Sequence, residues 1–272
     1  MTSPKNINFI VLSTQRTGSS WLIDLLNKVE NAHVYGELFL PQKRQWEVGS
    51  TDYPRFIEAT PLASAIRPFS VFAYLNQLYR RPGTVGFKCM YSQLKLFPEL
   101  WPYFMWKRTR VVHLARRNHL DVVLSTELAK TQGLWHSVKE KQEDRRQEDR
   151  RQEDRRQENR RQKTRIAQVE LNPGWLISQL QWLEQKNRAM QRFVCCSGLP
   201  CLEIAYEDLL HTPAAFSKLW NFLGIDTQGA IPQSTLAKIR QSSYRDTIKN
   251  YAEVEKALVD SEFAELLGVT AK

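Results

Sequence analysis

The chain has 272 residues, 42% of them apolar and 11% aromatic, and carries 39 Lys and Arg against 29 Asp and Glu, a formal net charge of +10. Length and apolar fraction allow a sizeable core, and no apolar run approaches the ~18–20 residues that cross a bilayer; the cationic excess selects an anionic partner, either nucleic acid or a polyanionic small molecule. The four cysteines, Cys89, Cys195, Cys196 and Cys201, have no metal-ligand spacing, so neither a zinc site nor a disulfide framework is expected.

The first elements in chain order form a strand-loop-helix unit. Asn8–Ser13 is an apolar strand-like run, Thr14-Gln15-Arg16-Thr17-Gly18 a tight polar loop, and Ser19-Ser20-Trp21-Leu22-Ile23 the start of a helix with an apolar face. At such a junction the free N–H groups and positive dipole end of the helix converge on an anion, and Gly18 lets the backbone approach it. Thr17, Ser19 and Ser20 add hydroxyl donors, and Arg16 adds a permanent charge with a planar donor fork. A nucleoside-triphosphatase loop would read G-x-x-x-x-G-K-[ST]. Here Ser13 holds the first glycine position and Ser19 the lysine position, and the cation sits inside the loop at Arg16. An ordinary N-capped turn would use the same residue types.

Ala32–Tyr35 reads as the second strand, and Glu37 follows it. A carboxylate at a strand end can take the proton of a substrate hydroxyl, or can merely hydrogen-bond substrate or cap a helix. His33 reads as a loop or strand residue. The stretch Gln42 to Tyr79 is rich in aromatics, Trp46, Tyr53, Phe56, Phe69, Phe72 and Tyr74, most of them expected in the core, with stacking on sugar rings as the other use. Thr84–Cys89 is the third strand. Its Lys88 stands among apolar neighbours, where it either meets a reacting group or snorkels to a carboxylate.

Arg110–Ala115 is the fourth strand, with His113 buried inside it. With Asn118 or Asp121 opening the next helix, Arg117 at the strand end and Ser125 eight residues on can close on one phosphate. Trp135 and His136 then serve either an acceptor wall or local packing.

The segment 142–162 is an insertion of near-copies of Gln-Glu-Asp-Arg-Arg with no apolar residue. A five-residue period turns about 500° on a helix, so no face stays constant and no stripe faces a core. Its Glu and Arg can pair at helical spacing for only ~0.2–0.5 kcal/mol each, which predicts a solvated surface segment. Its eight Arg against seven acids leave the net basic excess to the rest of the chain.

A helix starts at Pro173, with Leu176, Leu180, Leu183, Met190 and Val194 on its apolar side and Gly198 beyond its end. Leu202–Ile204 is the fifth strand, Tyr206-Glu207-Asp208 follows it, and a further core helix runs from Thr212-Pro213 to Gly224. Strands alternating with helical patterns predict an α/β fold, a P-loop-like parallel β-sheet flanked by helices, in one domain covering 1–272.

The loop Gln15-Arg16-Thr17-Gly18-Ser19-Ser20, with its cation two residues before the glycine, resembles the 5′-phosphosulfate loop of sulfotransferases that use 3′-phosphoadenosine-5′-phosphosulfate (PAPS). Arg117-Asn118 with Ser125 matches the 3′-phosphate motif of the same family. Tyr35-Gly36-Glu37-Leu38-Phe39, Gly86-Phe87-Lys88-Cys89-Met90, Thr131-Gln132-Gly133-Leu134-Trp135-His136, Tyr206-Glu207-Asp208-Leu209 and the tail from Tyr244 to Val254 extend the likeness to bacterial carbohydrate sulfotransferases of the trehalose 2-sulfotransferase and nodulation-factor types.

The resemblance implies sulfuryl transfer from PAPS to a hydroxyl of a saccharide or glycolipid acceptor, with no metal. It implies Glu37 as base, with Arg16 and Lys88 as the other catalytic candidates. Gln15, Arg16, Thr17, Gly18, Ser19, Ser20, Trp21, Arg117, Ser125, Tyr206, Tyr244 and Arg245 become the donor-binding candidates. It also points to a homodimer. No nucleic-acid motif is present, and the segment Met1 to Asn6 lacks a signal-peptide core, so a cytoplasmic enzyme without a transmembrane segment is expected. A nucleotide-dependent phosphotransferase and a non-catalytic nucleotide-binding scaffold are the alternatives.

Overall fold

Five parallel strands make the sheet of this protein: β1 (Ile7–Ser13), β2 (Ala32–Tyr35), β3 (Thr84–Met90), β4 (Arg110–Ala115) and β5 (Cys201–Ala205), in the order β2-β3-β1-β4-β5. The computed structural model describes residues 6–40, 52–59, 67–132, 168–226, 232–234 and 243–267. Trp46, Trp135, His136 and the repeat at 142–162 lie outside them. Contacts divide the chain into two compact units, one of Met1–Arg117 with Glu184–Ser234, the other of Asn118–Leu183 with Thr235–Lys272.

The first unit holds the whole sheet. Because strand side chains alternate between faces, the near-continuous apolar runs of β1 and β4 bury both sides. Phe9, Val11, Val112, Leu114 and Ile204 form one face. They pack on Leu22, Ile23, Leu25 and Leu26 of α1 (Ser19–Leu26) and on the two helices that follow β5. Ile10, Leu12, Phe87, Cys89 and Val111 form the other face. They pack on Val71, Tyr74, Leu75 and Leu78, beyond the short α2 (Phe56–Ala59), in α3 (Phe69–Leu78). The short α4 (Tyr91–Leu96) follows β3 directly, and Leu100, Tyr103 and Phe104 of α5 (Leu100–Lys107) complete that layer.

In the second unit, α6 (His119–Gln132), the opening turns of α7 (Pro173–Cys196), α10 (Tyr244–Thr247), α11 (Tyr251–Val259) and a 3-10 turn (Ala264–Leu267) surround a separate core. Leu120, Leu124, Leu128, Leu176, Leu180, Ile248, Val254 and Leu258 are buried there, and Val169 bridges to Ile248. Helix α7 continues into the first unit, where Val194 joins the sheet's core.

After β5 come α8 (Tyr206–His211) and α9 (Pro213–Leu223). Pro213 stands at the start of α9, and Gly224 at φ 62° stops it, as the proline-first, glycine-after pattern predicts. Leu209, Phe216, Leu219, Trp220 and Leu223 of these two helices cover the α1 face.

The topology positions the site. From β1 the chain passes to β2 and β3 on one side and then crosses to β4 and β5 on the other. The carboxyl end of β1 is therefore the switch point of the sheet, where open α/β sheets leave a ligand crevice.

Candidate functional site

The loop 14–18 leaves β1 at that switch point. Arg16 and Gly18 both take left-handed backbone angles, φ 61° and 81°, turning the chain sharply into α1. Thr17 is buried and its Oγ1 donates to the Thr14 carbonyl at 3.0 Å, and the Leu22 N–H donates to Gly18 O at 3.0 Å, closing the first helical bond. The N–H groups of the first turn have no intrahelical acceptor and point out of the helix start. Ser19 is buried there, Ser20 and Trp21 are half-buried, and Gln15 is exposed.

Two guanidinium groups meet at this loop. Arg116 follows β4, and its Nη1 donates to the Arg16 carbonyl at 3.2 Å, while its Cζ lies 5.1 Å from the centre of the Tyr206 ring and its Nε 3.9 Å from Glu207 Oε1. Burial, and then the like charge of Arg116, lower the Arg16 pKa to about 10. A fold that holds cations together near free N–H groups builds positive potential at one spot, which favours a multiply charged anion.

Tyr206, the first residue of α8, walls the loop. It is buried against Gly18 and makes an edge contact with Trp21, ring centres 5.5 Å apart. Arg117 turns to Asp208, with two parallel bonds of 2.6 and 2.7 Å, and its N–H donates to Glu207 Oε2 at 3.1 Å. The hydrogen bonds that Arg117 donates to Asp208 push the Arg117 pKa up. The Arg117 side chain is 65% exposed, so this pair contributes only ~0–1 kcal/mol to stability.

Glu37 and Lys88 form a buried ion pair on the β2–β3 side of the switch point, Nζ to Oε1 3.1 Å, each side chain 9% exposed. Of the two uses the sequence leaves open for Lys88, the structure shows the carboxylate partner. Lys88 shares the α1 face with Val11, its register neighbour on β1, and its N–H donates to Gly36 O at 3.2 Å. Gln93 Nε2 donates to the other Glu37 oxygen at 3.3 Å. The thiol of Cys89 is pushed well above its usual range by burial and by the charge of Glu37.

Ser125, Tyr244 and Arg245 belong to the second unit. Asn118 caps α6, its Oδ1 accepting the Asp121 N–H at 3.0 Å, and Tyr244 Oη donates to Asp121 Oδ1 at 3.0 Å while accepting from Asn118 Nδ2 at 2.9 Å. Ser125 is buried and donates to Val122 O at 3.1 Å. Arg245 lies over the Tyr251 ring, 5.3 Å from its centre, and 3.7 Å from Glu255.

The sequence reading misses Arg116 and Gln93. Extending the period of two from Leu114 puts Arg116 on the α1 face, a usable signal. Gln93 sits at the fourth position of a capping box whose first residue is Met90, so the usual Ser/Thr signature is hidden. His113 is buried in β4 as expected, with Tyr91 Oη 2.5 Å from its Nε2.

No family model matches the chain. No curated protein matches it either. Among solved structures it is similar to a crystal structure of a sulfotransferase from Alicyclobacillus acidocaldarius, at 12% identity and a TM-score of 0.46 over 97% of this chain and 94% of that one. Among the described residues, no group of His, Cys, Asp or Glu is arranged to hold a metal ion, and no helix is long and apolar enough to cross a membrane.

Proposed function

We propose that the protein transfers a sulfuryl group from PAPS to a hydroxyl of a carbohydrate or glycolipid. The observation that carries this reading is the placement of Arg16 beside Arg116 on a strand-loop-helix turn at the switch point of the sheet. Such a cradle suits the donor's 5′-phosphate and bridging oxygen, and the loop sequence has the phosphosulfate pattern rather than the triphosphate one. Gly18 and the helix-start N–H groups would hold the phosphate, with Ser19 and Ser20 as hydroxyl donors beside them, while the Thr17 hydroxyl holds the loop through the Thr14 carbonyl.

Glu37 takes the proton of the acceptor hydroxyl as its oxygen bonds to sulfur. Arg16 and the loop N–H groups take up the charge left on the donor phosphate as the sulfur–oxygen bond to it breaks. Lys88 holds Glu37 at the strand end. Phosphoryl transfer is the nearest physical template, and it too depends on positioning and charge more than on covalent chemistry.

Calorimetric titration with 3′-phosphoadenosine 5′-phosphate, wild type beside Arg16→Ala and Arg117→Ala and with ATP as competitor, tests the reading. Micromolar binding that both variants lose and ATP does not displace supports it. No binding, or preference for ATP, sinks it in favour of a phosphotransferase or scaffold.

A further inference from the structure

We infer that Gln93 is the positioning residue of the Glu37 carboxylate, an inference that rests on the sulfuryl-transfer reading. Gln93 is 2% exposed and lies in the first turn of α4. Its Oε1 accepts the Met90 N–H at 3.0 Å, and its Nε2 donates to Glu37 Oε2 at 3.3 Å. These partners fix which way the amide faces. Turned over, it would set NH2 against a backbone N–H and oxygen against a carboxylate oxygen, losing both bonds and creating two repulsions.

The other Glu37 oxygen is held by Lys88. Lys88 lies near the end of β3 and Gln93 in the first turn of α4, which follows it directly, so one continuous strand-helix unit grips both oxygens, while the Lys88 N–H grips the Gly36 carbonyl. The two holders do different work. Lys88 supplies charge, and Gln93 supplies direction without charge. A base must sit within about 2.6–3.2 Å of the proton it takes, so a carboxylate pinned at both oxygens presents one orientation to the acceptor hydroxyl.

Gln93→Glu separates this role from capping. A carboxylate accepts the Met90 N–H as the amide oxygen does, and Glu is itself a favoured residue at that box position. Its second oxygen, however, faces Glu37 with a like charge. It becomes a donor to Glu37 only when protonated.

The assay is sulfuryl transfer from 35S-labelled PAPS to trehalose as probe acceptor, run from pH 5 to 9 on wild type, Gln93→Glu, Gln93→Met and Glu37→Gln, with donor affinity measured alongside. Turnover in both Gln93 variants is expected to fall about ten- to a hundredfold with donor affinity unchanged, the scale of a misplaced reacting group. Gln93→Glu should recover toward low pH and Gln93→Met should not. Wild-type turnover and pH profile in Gln93→Glu would overturn the proposal and leave Gln93 a cap.

The Gln93 side-chain NH2 resonances give a reading independent of turnover. In Glu37→Gln the bonded proton should move upfield, because a charge-assisted acceptor becomes neutral; no movement overturns the contact. Full turnover in Glu37→Gln, or none in wild type, would overturn the base reading and the catalytic role given to Gln93. The amide shift would still report whether the contact exists.

Discussion

The Tyr206 ring occupies the space where a side chain at Gly18 would begin. A Cβ there would stand 2.2 Å from Tyr206 Cδ2 and 2.4 Å from Cε2. With φ at 81°, Gly18→Ala meets both backbone strain and a ring held by Trp21 and Arg116. The substitution should cost at least ~1–2 kcal/mol in chemical unfolding and abolish detectable binding of 3′-phosphoadenosine 5′-phosphate. The double variant Gly18→Ala/Tyr206→Ala should regain part of the stability but not the binding.

Arg16 should trade stability for affinity. Its charge is buried next to that of Arg116, and its backbone angle is one that Asn adopts more readily than Arg. Arg16→Asn is expected to unfold at the same or a higher denaturant midpoint than wild type. The same variant should bind 3′-phosphoadenosine 5′-phosphate roughly tenfold or more weakly, the scale of one lost charge-assisted hydrogen bond.

Breaking the Glu37–Lys88 pair from either side leaves a charge 9% exposed. Lys88→Met should destabilise by roughly 3–5 kcal/mol, and Lys88→Met/Glu37→Gln should be closer to wild type than Lys88→Met alone. Urea unfolding of wild type, Lys88→Met, Glu37→Gln and the double variant measures the coupling. Additive effects would show that the two groups do not stabilise each other in solution.

Stability should fall as the medium is acidified through the histidine range. Burial lowers the His113 pKa from 6.5, with Glu203 pulling weakly the other way. The unfolded chain then binds more protons than the folded one below about pH 6.5, so stability rises with pH across that window and is lost as pH falls through it. His33, also lowered, adds to the same slope. His113→Gln should flatten His113's share between pH 5 and 7 in urea unfolding, and an unchanged slope would show that His113 does not titrate there.

Local signals found the elements. The apolar runs at Asn8–Ser13, Ala32–Tyr35, Thr84–Cys89, Arg110–Ala115 and Leu202–Ile204 match the five strands to within a residue at each end, and Pro173 and Pro213 mark helix starts. The place of Gly18 at the turn was legible too, but not the Tyr206 ring for which it leaves room. Arg116 and Gln93 were not identified as site residues. Arg116 gains its meaning from Tyr206, which lies 90 residues away, and Gln93 from Glu37, which follows β2 and lies 56 residues earlier in the chain.

The sequence by itself determined the strand-loop-helix unit and the parallel α/β class, because periodicity and capping act over a few neighbouring residues. Only the tertiary structure decided the strand order, the pairing of Glu37 with Lys88 and Gln93, and the crowding of Arg16 by Arg116. Those depend on which strands lie side by side, and that is set by burying apolar faces from distant parts of the chain in one core.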